Sequence, residues 1–409
     1  MMLLSLRFGY FCSVLAMAVS ASAAPPKVKI SLAQTGMVKL ASPEQMEYAK
    51  QKNIQWLNEK KGNPLKSIAA KSFQALRPVK DDDDFRYLIT SADTTFETEE
   101  FKSVLAKNLP EKIKLVLLAK KGREQRAIDQ FSQWISKDRI IVMSIPVSGF
   151  VNTFWARDWS PYPVYKNEMK EVGLISSLYD QHTYYVDQME SFKRGMARDL
   201  HASFNAEEYY FVGGNLLADS DGTCFAVRST RFYNLNADIL KESYGCRDSI
   251  ILPHLSGIGD VDEVVKILPG KVVLTNLPEY KPLIEEKGYR VVMLPGVDNN
   301  VSKMGVRNLG TYANSVILDQ KVFMPAYGRP SDEVAKAVYE DLGYEVFTAN
   351  SKQLSFEGMG SFHCATMGYP QIELETLAKM LGTEIYEKAS AKVWSSPADL
   401  FDRVLEYLM

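Results

Sequence analysis

The chain lacks any surplus of charge: 48 lysines and arginines face 50 aspartates and glutamates, for a formal net charge of -2. That balance excludes an overall field favouring nucleic acid or anionic lipid and points to small-molecule or peptide partners. Long hydrophobic runs are also missing: beyond the N-terminus, no stretch approaches the roughly 20 apolar residues that span a bilayer. The glycine pattern of a dinucleotide site is broken. In "HLSGIGDVDEVVKILPG", His254 to Gly270, Asp262 stands where the third glycine belongs, and Asp260 would repel a pyrophosphate. The acidic run Asp81 to Asp84 lacks the glycine and distal glutamate of a calcium loop, and reads as a solvated linker. Cysteine is scarce, at 4.

What is present is enough apolar material, 46% hydrophobic and 11% aromatic over 409 residues, to bury a full core. Residues 1–24 carry Arg7, a short apolar run and the small residues Ala21-Ser22-Ala23, the pattern of a secretory signal peptide. The expected protein is therefore secreted or periplasmic, with no membrane segment once the signal is removed. Cys12 leaves with the signal, and Cys224, Cys246 and Cys364 enter a compartment that permits disulfides. An odd count leaves one thiol over. Cys224 and Cys246 sit at the edges of two predicted strands, "TCFAV" and "CRDSIIL", and closing the loop between them is worth roughly 3 kcal/mol. The expectation is a Cys224–Cys246 bridge with Cys364 free.

Residues 25–84 form a polar, Lys-rich extension and linker, with one amphipathic stretch around "PEQMEYAKQKNIQWLNEK". From 85 to 409, short β-branched runs such as "KIKLVLLAK", "RIIVMSIP", "SIILP", "KVVLTN" and "EVFTAN" alternate with helical patterns such as "EQRAIDQFSQWIS" and "SDEVAKAVYEDLG". This predicts an α/β chain of repeated units. The unusual polar residues fall just after strands: Asp158 after "RIIVMSIP", Asp260 after "SIILP" and Cys364 after "EVFTAN". Polar groups delivered from several strand ends suggest one shared site at the centre of a pseudo-symmetric array.

Several motifs carry these groups. In "FWARDWSPY", Trp155, Arg157 and Asp158 precede Pro161, so a charged pair is held among aromatics, either as a buried ion pair fixing a loop or as part of a site. In "FVGGNLLADSDGT", two glycines permit close backbone approach beside Asn215, and "ADSDG" reads as a turn. Asp260, Asp262 and Glu263 read as charges at the start of a helix, Glu263 best of the three. Asn314 precedes the strand in "YANSVILDQKVFMPAYG", and "EGMGSFHCATMG" sets His363 beside Cys364.

The ordered set "RDxxP", "GGN", "GxxDE", "YxNS" and "GSFHC", spread over residues 85–370, resembles the agmatine deiminase and bacterial (Porphyromonas-type) peptidylarginine deiminase family. The resemblance implies a pentein-like fold, a pseudo-five-fold α/β propeller of ββαβ-type units. It also implies hydrolysis of a guanidinium group to a ureido group and ammonia through a covalent cysteine intermediate, with no cofactor and no metal. Partners would be a guanidinium-containing small molecule or an arginine peptide or protein. By match to the family motifs, Asp158 and Asp262 grip the guanidinium, whose planar donors suit paired carboxylates. Cys364 matches the nucleophile. Asn314 and Asn215 shape the pocket, and Arg157 and Trp155 are placed with them as substrate-binding residues.

One element departs from the pattern. The family carries its acid/base histidine in "GHxD", where this chain has "GDVD", so the position is Asp260. Three routes stay open. Asp260, kept protonated by its neighbour Asp262, is the acid. His254 or His363 substitutes, although in an extended loop the side chains of His363 and Cys364 would point apart. Or catalysis is lost and the chain only binds guanidinium groups.

Overall fold

The computed structural model describes residues 73–370 apart from 146–153, 167–170, 179–192, 230–234, 298–299, 302–306 and the single positions 195, 199, 201, 256 and 309. The expected signal peptide, most of the N-terminal extension and its amphipathic stretch lie outside the described residues. Among the described residues, no helix is long and apolar enough to cross a membrane.

The α/β class is as expected. Apart from a short antiparallel pair, Asn300–Val301 with Arg307–Asn308, the described strands fall into five small sheets of one recurring design. In each, a first strand pairs antiparallel with a second, and the second pairs parallel with a third. The strands Tyr162–Tyr165, Val172–Leu178 and Ser203–Tyr210 follow this order, with Arg77–Pro78 added at the edge. So do Leu217–Ala218, Thr223–Arg228 and Asp248–Pro253. Val265–Leu268, Val272–Thr275 and Arg290–Met293 repeat it, as do Val316–Leu318, Lys321–Ala326 and Glu345–Asn350. In the fifth, Thr366–Pro370 pairs antiparallel with Phe85–Ser91, which runs parallel to Lys114–Lys120, and Ile140–Ile145 adds a further parallel strand.

A parallel pair needs a crossover, and helices supply it. Pro330–Asp341 links the last two strands of its sheet; proline in its first turn suits the fixed φ, and Asp332 caps it by accepting from the Arg329 amide at 3.0 Å. Glu99–Asn108 buries Phe101, Leu105 and Ala106 at helical spacing. Strands between a helix and the interior are apolar on both faces, as in Lys114–Lys120, where only the terminal lysines are exposed.

Two expectations are corrected. The acidic residues at 260–263 do not open a helix: Val261–Glu263 is a single 3-10 turn leading into the strand Val265–Leu268. The β-branched run there pairs with Val272–Thr275 and is fully buried, which a solvent-facing helix would not allow. The run Asp81 to Asp84 is not a solvated linker either. Arg77–Pro78 pairs with Tyr162–Tyr165, and Asp81 and Asp83 are 7% and 8% exposed. The "ADSDG" turn is present, with Asp219 Oδ1 accepting from the amides of Asp221 and Thr223.

Cys224 and Cys246 form a disulfide, their Cα atoms 5.8 Å apart, tying the strand Thr223–Arg228 to the entry of its parallel neighbour. Replacing both by serine should lower the unfolding free energy by about 3 kcal/mol, the entropy of a loop of this length. Denaturant titration checks this, and added reductant should lower the parent but leave the double variant unchanged.

Candidate active site

The repeating order sets where the polar residues go. Each connection from the outer strand of one sheet to the first strand of the next carries one of them just ahead of that strand. Asp158 precedes Tyr162–Tyr165, Asn215 precedes Leu217–Ala218, Asp262 precedes Val265–Leu268, Asn314 precedes Val316–Leu318, and Cys364 precedes Thr366–Pro370. Five equivalent positions in five sheets thus converge on one buried cluster.

Gly214 is the point at which two carboxylates meet. A Cβ there would stand 2.9 Å from Asp158 Oδ1 and 3.2 Å from both carboxylate oxygens of Asp262. Its neighbour Gly213 lies so close to the Arg157 carbonyl that a side chain would clash, at 2.1 Å. The two glycines that the sequence flagged are therefore needed for close approach. Asp262 Oδ1 is buried and has no hydrogen-bond partner among the described residues. Such an acceptor, in a dry site, is a strong point of attachment for a donor-rich cation.

Cys364 lies alongside, 2% exposed, with its Sγ 3.4 Å from Asp262 Oδ2 and 3.0 Å from Asn314 Nδ2. It is the free cysteine of the described residues. Burial pushes its thiol pKa well up, and the charges of Asp262, Asp158 and Glu263 push it further. The resting sulfur is accordingly a thiol. A cation seated between Asp158 and Asp262 would cancel the charges that hold the proton on.

Among the other expected site residues, Asn314, Asn215 and Arg157 spend side-chain groups on the backbone. Asn314 Oδ1 accepts from the amides of His363 and Cys364 at 3.1 and 3.3 Å, while its Nδ2 also donates to the Asp262 carbonyl. Asn215, expected to bind substrate, spends its amide on backbone: Oδ1 accepts from Val227 and Val261, and Nδ2 donates to Val227 O. Arg157, also expected to bind substrate, points away from it. Its Nε donates to Thr366 O at 3.0 Å, and its amide donates to Cys364 O at 3.0 Å, so it braces the cysteine turn. Trp155 is buried with its ring against Gly358 and Gly360; a Cβ at Gly360 would stand 2.6 Å from the ring. Asp260, 1% exposed, precedes the 3-10 turn, and its backbone carbonyl accepts from the Glu263 amide. Glu263 closes the same loop by accepting from Ile258 N at 3.0 Å.

His363 corrects another expectation. Its loop is not extended: Ala365 N donates to Ser361 O and Thr366 N to His363 O, so residues 361–366 form tight turns. The ring is turned inward beside Cys364. Nδ1 lies 2.8 Å from Asp262 Oδ2, and Nε2 lies 2.5 Å from Asp81 Oδ1. Asp81 in turn receives Lys266 Nζ at 2.6 Å on Oδ2, with Arg157 Nη1 3.7 Å from Oδ1. Burial works to raise the Asp81 carboxyl, but His363, Lys266 and Arg157 outweigh it and hold it well below the usual range. His254, the other alternative, lies with Nε2 3.1 Å from Gly257 O of its own loop.

Sequence reasoning missed Asp81 and Lys266. Lys266 was visible as a cation inside the apolar strand "VKIL", and a fully buried lysine demands a counter-ion. Nothing local identified Asp81 as that counter-ion. A cavity of about 390 Å³ opens elsewhere, beside Phe96, Arg123 and Phe154, and none of Asp158, Asp262 and Cys364 lines it. Among the described residues, no cluster of histidine, cysteine and carboxylates is arranged to hold a metal.

Residues 78–370 match the Porphyromonas-type peptidyl-arginine deiminase family. The chain belongs to that family. Its members are deiminases, C–N hydrolases acting on amidines. The fold is similar to that of the agmatine deiminase of C. jejuni, at a TM-score of 0.60 and 14% identity, covering 75% of this chain and 99% of that one. It is likewise similar to the agmatine deiminase of Enterococcus faecalis, at a TM-score of 0.58 and 16% identity, covering 76% and 98%. No curated protein is significantly similar to it in sequence. The matched span of this deiminase-family chain runs from the Asp81 segment to the strand after Cys364, so it includes the whole buried cluster.

Asp81→Asn should destabilise the fold by about 3–5 kcal/mol, because it leaves Lys266 buried without its counter-charge. The sign with pH follows from the depressed Asp81 pKa. Its contribution is complete above the ordinary carboxylate range, near pH 4, and is lost as pH falls through the folded-state value. Unfolding measured from neutral to acid pH should therefore show the gap between parent and variant narrowing only on the acid side.

Proposed function

We propose that this chain hydrolyses the guanidinium group of an arginine-like substrate to a ureido group, with Cys364 as nucleophile. The observation that carries the reading is the meeting of Asp158 and Asp262 over Gly214, beside the Cys364 sulfur. A guanidinium is a planar, permanent cation with paired donors, and two facing carboxylates are its natural complement. It would also neutralise the charges that hold Cys364 as a thiol.

In the reaction, Sγ adds to the central carbon and the thiol proton ends on the departing nitrogen. The C–N bond breaks, ammonia leaves and a thiouronium remains on Cys364. Water then adds to the same carbon, the C–S bond breaks, and the ureido product departs as the thiol is restored. One guanidinium and one water become one urea derivative and one ammonium ion. The five like sheets are read as blades of a pseudo-five-fold propeller around this site; their equivalent delivery of Asp158, Asn215, Asp262, Asn314 and Cys364 supports that arrangement.

The N-terminal signal pattern favours export, and with it arginine in peptides or proteins over free agmatine. Agmatine itself is the second substrate to test, because the similar folds include agmatine deiminases. A chain that binds guanidines without turning them over is the contrary reading, raised by Asp260.

Ureido product and ammonia should be measured from arginine peptides, arginine and agmatine. Turnover of any one supports the deiminase; binding without product from all of them leaves only a binder. Cys364→Ser should abolish turnover with guanidine affinity nearly kept, since a hydroxyl is a far poorer nucleophile. Asp158→Asn should weaken binding by roughly 2–5 kcal/mol. Gly214→Ala, which pushes a methyl between the carboxylates, should raise KM at least about tenfold, worth 1.4 kcal/mol. Unchanged affinity in both binding variants would place the substrate elsewhere.

A further inference from the structure

The two ring nitrogens of His363 both face carboxylate oxygens, Asp262 Oδ2 at 2.8 Å and Asp81 Oδ1 at 2.5 Å. Counting protons at these contacts constrains the cluster. Asp81 is ionised, since Lys266 and Arg157 neutralise it, so Nε2 must carry a proton and donate it to Asp81. A second proton must lie between Nδ1 and Asp262 Oδ2, because otherwise two lone pairs would meet at hydrogen-bond distance. Whichever atom owns it, this proton lies in the contact made by the carboxylate oxygen that stands 3.4 Å from Cys364 Sγ. The other oxygen of Asp262, with no partner among the described residues, is left for the substrate.

We propose that the Asp262–His363 pair, held by Asp81, is the proton store of this site and performs the task of the histidine absent at position 260. The proposal rests on the reading of Cys364 as nucleophile. Asp262 touches the reacting groups, and His363 is a positioning residue acting through it. As the sulfur attacks, the thiol proton passes to Asp262 Oδ2 and the stored proton passes to the departing nitrogen, so the store is unchanged when ammonia leaves. In the second half, the pair accepts one proton from the attacking water and returns one to the sulfur as the C–S bond breaks, while the water's other proton leaves to solvent, where the released ammonia takes it up as ammonium. The charged groups facing this path are Asp81, Lys266 and Arg157 behind the ring, and Asp158 and Glu263 around the sulfur.

The stored proton can be seen without turnover. The chain has 4 histidines, so nitrogen-15 labelling of histidine in the full-length protein gives a short spectrum. At a pH of about 8.5, one imidazole should show protons on, or strongly shared at, both nitrogens. Finding all imidazoles neutral with one bare nitrogen there would overturn the proposal, whether or not the protein turns over any guanidine. His363→Gln keeps a donor but carries no titratable proton. It should lower kcat about 100-fold or more with KM changed only a few-fold, and remove one limb of the parent's pH–rate profile. A variant that keeps kcat and the profile while only its melting point or KM moves would make His363 structural and overturn the proposal. Should His363→Gln not fold, the spectrum of the parent alone decides. A parent that shows the stored proton but releases no ammonia from any guanidine would sink the proposed function and leave the proton assignment standing.

Discussion

The buried ion pair between Asp81 and Lys266 is the contact on which the site depends. Lys266 sits fully buried in a strand of otherwise apolar residues, and a lone ammonium there would be intolerable. Asp81 answers that charge with one oxygen and uses the other to face His363. The same carboxylate therefore secures a strand of the sheet after Asp262 and orients the imidazole beside Cys364. A buried ion pair adds little net stability against an apolar replacement, so its value here lies in fixing geometry. It also joins an N-terminal segment to a C-terminal turn, residues 81 and 363, across nearly the whole described chain.

Around that anchor, the repeated sheet order supplies precision by simple means. Each connection enters a first strand at the same point, and small or amide residues hold the backbones where they meet. Gly213 and Gly214 permit approach; Asn215 and Asn314 satisfy amides that would otherwise be buried without partners. Arg157 braces the carbonyls around the cysteine turn. Asp158, Asp262 and Cys364 are then left close together around Gly214. On the proposed reaction, these three form a site that is unfavourable when empty: two carboxylates and a thiol in a dry environment await a cation. The product is neutral, so the attraction that drew the substrate in is gone once the chemistry is done.

Much of this was legible in the sequence, and the failures have physical causes. Strand-end placement of Asp158 and Cys364 followed from β-branched runs, and the disulfide followed from which cysteines flank adjacent strands. Arg157 was expected to bind substrate because charge among aromatics signals burial but not direction; its partners include the Thr366 carbonyl, 209 residues along the chain. The helix expected at 260–263 failed because acidic residues at a helix start look the same as acidic residues at a turn before a strand. Asp81 was lost because a run of four aspartates is usually solvated, and the groups that enclose this one come from residues 157, 266 and 363. His363 stayed one of the open routes, weakened by the prospect of an extended loop, and the hydrogen bonds from Ala365 and Thr366 reveal the turn.

Placing an imidazole behind the substrate-binding carboxylate, rather than in front of the substrate, has a further consequence for the proposed chemistry. With a substrate on Oδ1, Asp262 would serve partners through both oxygens, so the basicity of one would depend on what the other holds. When a guanidinium occupies Oδ1, the carboxylate is stabilised as an anion, and the shared proton moves toward His363. As the substrate loses its charge in forming the ureido group, the same carboxylate becomes the stronger base and draws the proton back. Proton ownership within the Asp262–His363 pair would then follow the charge of the substrate step by step, with Asp81 constant throughout because Lys266 and Arg157 hold it ionised. A histidine at position 260 would exchange protons by its own titration. In the arrangement built here, the reacting group itself sets when the proton is given and when it is taken.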